Sequence, residues 1–247
     1  MISALMYSRF SSIYQSVVTL FPTTASHNIA KLNAFRVVFH NLALDKVEGC
    51  YVEFGVAFGN SLNAAILANK RTAFKALGIP TIERTFLGFD TFTEFSSSSQ
   101  EDQHETWSGT LFSSSLENVT RRFSNRKNVT LIQTDACILS TTTSESLQLD
   151  ALIQDERVAV VMFDMDLKAP TLSALNWIEP KLLSGSIVIF DEYFGFAGDT
   201  SLGEVGAFSE FCESNPDIVF REVMRYGTGG IVFQISHRKK KATSQCQ

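Results

Sequence analysis

Short runs of almost unbroken apolar residues alternate along this chain with longer stretches in which apolar positions recur every three or four residues. The first pattern reads as strands buried on both faces and the second as helices packed by one side. Strands are expected at residues 50–55, 86–90, 129–132, 158–163, 187–190, 218–223 and 230–235, with residues 158–163 apolar throughout. Between them, helices are expected over residues 61–77, 111–122, 171–183 and 204–212. Residues 1–48 show helical spacing without strand alternation, as in Ile29, Leu32, Phe35, Val38 and Phe39, and Pro22 divides them into two helices.

Strands alternating with helices define a parallel α/β sheet. The last two strands differ, because only residues 224–229 separate them and no crossover helix fits, so they form an antiparallel hairpin. The expected fold is therefore α/β and Rossmann-like. It has seven mostly parallel strands, an antiparallel last strand, helices on both faces and an N-terminal helical extension. The expected divisions are 1–48 for the extension, 49–236 for the sheet domain and 237–247 for a basic polar tail.

Composition narrows the partners. A chain of 247 residues that is 45% hydrophobic and 19% charged can bury a sizeable core. Its net charge of −5 argues against broad adhesion to nucleic acid or to an anionic membrane. The one basic cluster, Arg238 to Lys241, reads as a solvated tail. Cys50, Cys137, Cys212 and Cys246 lie far apart, unlike a disulfide framework or a zinc site, so a reducing cytoplasmic setting is expected. No apolar run is long enough to cross a bilayer. Residues 1–44 lack Asp and Glu, but their few basic residues fit a structural helix better than a transit peptide.

The polar residues worth examining stand where the apolar runs end. In doubly wound sheets ligands bind beyond the carboxyl ends of the strands. Glu53, Gly55, Gly59 and Ser61 form a glycine-bearing turn after the first strand. Ala57 at its centre departs from GxGxxG, which suits a nucleoside better than a dinucleotide pyrophosphate. Asp90 ends the second strand, where an acceptor-only carboxylate can take both ribose hydroxyls of an adenosyl group. Asp135, just past the third, is suited to an adenine amino group or to capping the next turn.

Asp164 and Asp166 follow the fourth strand, and Asp191 and Glu192 the fifth. Acids meeting at neighbouring strand ends repel one another unless a cation or proton intervenes, and all-oxygen donors favour a hard divalent ion such as Mg²⁺. Such an ion would acidify and fix an acceptor hydroxyl, with Asp164 or Asp191 as ligand or as base. His104, with Trp107 and Phe112, lies on or beside a long polar loop over residues 91–110 and reads as an inert loop residue or a closing element. His27, His40 and His237 show no ligand spacing.

Taken in order, these stretches resemble the macrocin O-methyltransferase family. The match runs from Glu48 to Val56, through Gly88 to Phe92, Phe163 to Leu167, Pro180 to Gly185 and Asp191 to Tyr193, to Gly203 and Glu204. The resemblance implies a class I methyltransferase fold, S-adenosylmethionine as donor and a small hydroxylated acceptor, a sugar or secondary metabolite. It also implies a divalent metal on Asp164, Asp191 and Glu192, the last standing where the family usually has Asp. Lys168 and the residues 93–95 depart from the family pattern. Two other readings stay open: a glycosyltransferase using Asp164 and Asp166 as a DxD pair, and a non-catalytic binding protein on the same fold. Self-association is left open as well.

Overall fold

The computed structural model describes residues 22–72, 78–79, 81–93, 114–141, 143–153 and 157–238, with residues 11, 16, 19 and 20. The expected loop elements at His104, Trp107 and Phe112 lie outside the described residues, as does the tail beyond Arg238. Helix α1 (Thr23–Leu44) starts directly after Pro22, whose missing N–H costs nothing at a helix start. Then follow β1 (Cys50–Phe54), α2 (Asn60–Lys70), β2 (Phe86–Asp90), α3 (Leu116–Phe123) and β3 (Val129–Gln133). Next come α4 (Ser144–Leu152), β4 (Val158–Phe163), α5 (Lys168–Ile178), β5 (Leu182–Phe190), α6 (Gly203–Ser214), β6 (Ile218–Tyr226) and β7 (Gly230–Arg238).

The seven strands form one sheet in the order β3-β2-β1-β4-β5-β7-β6. β7 runs antiparallel to both β5 and β6, and the other neighbouring pairs are parallel. That is the expected layout, with local differences at several elements. Pro180 lies in a single 3-10 turn after Ile178, so the helix expected to reach residue 183 stops there and β5 begins at Leu182. Helix α4 was not expected, since its Thr- and Ser-rich start resembles a loop. A reciprocal cap between Thr143 and Ser146 initiates it. β7 extends through Arg238, which pairs with Glu179 and donates to the Leu182 carbonyl at 2.8 Å, so the strand overruns the expected tail boundary.

Each face of the sheet carries its own core. On one, Phe54, Phe89, Phe163 and Phe190 pack with Trp177 of α5 and Phe208 and Phe211 of α6. On the other, Tyr51, Phe86, Val160, Met162 and Ile189 pack under α1 and α2. α1 is thus part of the core rather than an appendage: Ala34, Phe35, Val38, Phe39 and Leu42 are buried on it. Its buried stripe differs in phase from the expected one. Ile29 and Leu32 are exposed, and the stripe continues toward the helix start through Lys31 and His27. No helix among the described residues is long and apolar enough to cross a membrane.

Phe39 contacts the rings of Phe35, Tyr51 and Phe86, joining α1 to two strands. Replacing it by Ala should cost about 3–5 kcal/mol. Denaturant unfolding checks this; a loss below about 1 kcal/mol would mean that α1 contributes little to the folded unit.

Candidate active site

Parallel register sets the site. Phe54 pairs with Phe89 and Phe163, and Phe163 pairs with Phe190, so four phenylalanines at or next to strand ends lie in one row. Adjacent rings in the row have centroids 5.1–5.4 Å apart. Side chains alternate faces along a strand, so the residue after each phenylalanine turns toward the α1 side or the rim. Those next residues are Gly55, Asp90, Asp164 and Asp191, and all four line one cavity of about 470 Å³. That volume is in the range of small-molecule sites, about 300–1,000 Å³.

One wall is the turn between β1 and α2. Gly55 has φ +89°, and a Cβ there would lie 1.9 Å from the Asp164 carbonyl oxygen, so the close passage of β1 beside β4 needs glycine. Asp90 accepts from the Ala57 N–H at 2.8 Å and the Phe92 N–H at 2.7 Å, one bond per oxygen, which leaves acceptor capacity on both. Asp135 does what was expected of a cap, accepting from the Cys137 N–H at 2.9 Å, and lines the cavity too. Ser61 lines it as well, but its hydroxyl is spent on Glu53 at 2.6 Å.

Two expected donor-site residues stand behind this wall. Glu53 is wholly buried, and its carboxylate is held between Ser61 and the Tyr51 hydroxyl at 2.5 Å. Its alternation on β1 puts it under α1 and α2, and burial raises its pKa to about 8. Gly59 starts α2 in left-handed conformation against the Phe123 ring. Both shape the turn and do not form the cavity wall.

The opposite wall holds the acids. Asp164 and Asp166 come from the end of β4, Asp191 and Glu192 from the end of β5. Glu204 of α6 supports them from below, accepting from the Glu192 N–H at 3.0 Å and the Met165 N–H at 3.4 Å. The groups answering these acids come from α1, the Lys31 ammonium and the His27 ring, and sequence reasoning missed both. Lys31 Nζ lies 2.5 Å from Asp191 Oδ2 and 3.1 Å from Asp164 Oδ2. One turn earlier, His27 Nε2 lies 3.1 and 3.2 Å from the two Asp191 oxygens. Tyr226 of β6 adds its hydroxyl to Asp191 Oδ1 at 2.6 Å.

The turn between β6 and β7 fixes His27 from behind. Thr228 donates its backbone N–H to Nδ1 at 3.2 Å, and its hydroxyl lies 3.1 Å from the same atom. A Cβ on Gly227 would come within 2.3 Å of Nδ1, so the turn reaches the ring only because that residue is glycine. The signal for this pair was present in the sequence. His27 and Lys31 are four residues apart and continue the stripe of Phe35, Val38 and Phe39, so docking that stripe on the sheet carries them to the strand ends.

The charges distribute unequally. Burial alone would raise the Asp191 carboxyl, but the His27 hydrogen bond and the Lys31 charge outweigh it and hold Asp191 below the usual range. Asp164 has the opposite balance: burial and the Asp191 charge push it up, and Lys31 only partly offsets them. Burial also raises Asp166, Glu192 and Glu204, each further raised by neighbouring carboxylates. Burial disfavours the Lys31 ammonium, yet Asp164 and Asp191 more than compensate and keep it charged.

The divalent metal expected on Asp164, Asp191 and Glu192 does not fit this arrangement. An ion about 2.0–2.6 Å from the carboxylate oxygens would fall in the space that Nζ holds between Asp164 and Asp191. Placing a dication within about 3 Å of the ammonium costs on the order of 10 kcal/mol at an effective dielectric of about 20. His27, Asp191 and Glu192 offer atoms within 4.8 Å of one another, but His27 Nε2 is already bonded to Asp191.

A seven-stranded sheet of this order, with its one antiparallel strand and a cavity across the ends of β1, β2, β4 and β5, is the class I methyltransferase fold. Solved structures agree. The O-methyltransferase NovP aligns with TM-score 0.62 at 20% identity, over 85% of this chain and 81% of its own. The calicheamicin methyltransferase CalS11 aligns with TM-score 0.62 at 20% identity, over 95% and 94%. Apo CalS11, a TDP-rhamnose 3'-O-methyltransferase, gives 0.54 at 22% identity, over 83% and 79%. Residues 18–203 match the macrocin-O-methyltransferase (TylF) family, and the chain belongs to that family. It is therefore an S-adenosylmethionine-dependent methyltransferase, which displaces the DxD glycosyltransferase reading. Searched against curated proteins, the sequence finds no match.

His27 titrates with a raised pKa, chiefly through its Asp191 hydrogen bond and against the desolvation that lowers it. A group whose folded pKa is raised stabilises the fold fully below its unfolded value, about 6.5, and loses that contribution as pH rises through the folded value. The melting-temperature gap between wild type and His27→Gln should therefore be wider near pH 6 than near pH 9. Thermal melts across that window check it, and a gap that widens with pH would contradict the pairing.

Proposed function

We propose that this protein methylates a hydroxyl group of a sugar or sugar-bearing secondary metabolite. The observation that carries this reading is the carboxylate wall of Asp164, Asp166, Asp191 and Glu192 facing, across one cavity, the turn and acid suited to an adenosyl group. The family's name and the names of NovP and CalS11 describe O-methyl transfer, in CalS11 to a TDP-linked sugar, which points to the same acceptor class. A small hydroxylated molecule is the expected partner, and the cysteine spacing favours a reducing cytoplasm.

Donor binding falls to Gly55, the Ala57 to Ser61 turn, Asp90 and Asp135. Asp90 keeps lone pairs for ribose hydroxyls, and Asp135 keeps one oxygen for an adenine amino group. When bound, S-adenosylmethionine supplies a methyl group activated by a sulfonium. The protein's task is then to place the acceptor oxygen and to take its proton. Of the two aspartates expected to do this, Asp191 is poorly suited to take a proton, since His27, Lys31 and Tyr226 all donate to it and hold it ionised. Asp164 is suited to it. Its side chain is 26% exposed, Lys31 is its one ionic partner among the described residues, and its pKa is raised. Asp191 is accordingly assigned the role of anchor and Asp164 that of base. No step here passes through a divalent ion, because Lys31 holds the position between the two acids.

Isotope transfer from methyl-labelled donor to a panel of nucleotide-linked sugars, glycosylated polyketides and phenols tests the class. Label should appear on a sugar hydroxyl. Transfer to phenols alone would overturn the acceptor class, and donor binding without transfer to any acceptor would favour a non-catalytic protein. Asp164→Asn should lower kcat by about 10²–10⁴-fold while leaving the dissociation constant for S-adenosylhomocysteine unchanged. Asp90→Ala should do the reverse, weakening that affinity by roughly 10–100-fold through loss of charge-assisted hydrogen bonds. Calorimetry separates the two.

A further inference from the structure

We propose that the Lys31 ammonium is the resident cation of this active site, standing in place of a divalent metal and binding the acceptor oxygen itself. The inference rests on the methyl-transfer reading above for its second half and on geometry alone for its first. Nζ bridges carboxylates from two adjacent strands, at 2.5 Å to Asp191 and 3.1 Å to Asp164. An ion bridging the same two acids would need the same space.

Lys31 is no surface side chain that swings in. It is 7% exposed and sits on a helix whose next two turns are seated in the core by Ala34, Phe35, Val38 and Phe39. One turn earlier, His27 is held between Asp191 and Thr228. Helix, hairpin turn and strand end therefore fix the ammonium from three sides. A lysine delivered this way supplies permanently the charge that clustered acids otherwise draw from solution.

The ammonium has a further capacity. It carries three N–H donors, two directed to Asp164 and Asp191, and Lys31 also lines the donor cavity. The third N–H is left for an acceptor hydroxyl oxygen. As that oxygen forms its bond to the methyl carbon, the carbon–sulfur bond breaks with its electron pair going to sulfur, and the hydroxyl proton passes to Asp164. Lys31 binds the oxygen throughout and gives up no proton.

Two measurements on the intact wild-type chain test the first half whether or not any variant folds. Mn²⁺ titration followed by electron paramagnetic resonance should show no stoichiometric binding, and methyl transfer should continue in excess EDTA. One equivalent of bound Mn²⁺, or EDTA inactivation reversed by Mg²⁺, would overturn the proposal. Lys31→Met should then lower kcat by about 100-fold or more with affinity for S-adenosylhomocysteine retained, and should gain Mn²⁺ binding as Asp164 and Asp191 lose their partner. Retained kcat in a variant that binds S-adenosylhomocysteine normally would remove Lys31 from the reaction. If no acceptor takes label, the functional reading fails while the Mn²⁺ titration still decides which cation the acids hold.

Discussion

Four strands end together, and two of them deliver carboxylates into the same small volume. The architecture around the site follows from answering that charge. Asp164 and Asp191 sit at the ends of paired strands, with Asp166, Glu192 and Glu204 close enough to raise one another's proton affinity. Like charges at these separations destabilise a fold unless a cation or a proton is held among them. The protein uses both. Lys31 and His27 answer Asp191 directly, and burial pushes Asp166 and Glu204 toward their protonated forms.

That answer explains why α1 is integral to the sheet domain and not an added helix. Its inner stripe changes character along its length: Ala34 to Leu42 are apolar over the strand bodies, while Lys31 and His27 are polar over the strand ends. The apolar part supplies the docking energy and the polar part is carried with it. The β6–β7 turn completes the arrangement, since Thr228 orients His27 and Tyr226 supplies another donor to Asp191. Both ends of the described chain thus converge on one carboxylate, which couples the integrity of the fold to the electrostatics of the site.

Much of this was legible in the sequence, for a physical reason. Phe54–Gly55, Phe89–Asp90, Phe163–Asp164 and Phe190–Asp191 are four copies of one device: a bulky apolar residue locks the strand end into the core, and the next residue faces the rim. Parallel strands and period-two alternation suffice to align them. What was not legible came from contacts distant in sequence. Lys31 and Asp191 are 160 residues apart, and although Lys31 continues the stripe of Phe35, Val38 and Phe39, nothing near it in sequence names the acid it meets. The phase of α1 was misread because Ile29 and Leu32 are apolar yet exposed, while Lys31 is charged yet buried. Glu53 was misplaced for a subtler reason: it shares the motif of the glycine turn and the face of Gly55, but it lies one pleat deeper in the strand, wholly buried and held by Tyr51 and Ser61.

The rule that clustered acids imply a metal therefore needs a second step before it is applied. Carboxylates at adjacent strand ends do require a countercharge, but the requirement does not say whether an ion or the chain itself provides it. A divalent ion offers more charge and a shorter approach to oxygen. An ammonium carried on a helix offers permanent occupancy and a free N–H. The two solutions impose different demands on the surrounding sequence: a metal site needs its acids open to one another, whereas a lysine site needs a rigid element to deliver the side chain and a neighbour to hold its register. In this chain the second set of demands is met by the Phe35 and Phe39 anchors on one side of Lys31 and the Asp191–His27–Thr228 relay on the other.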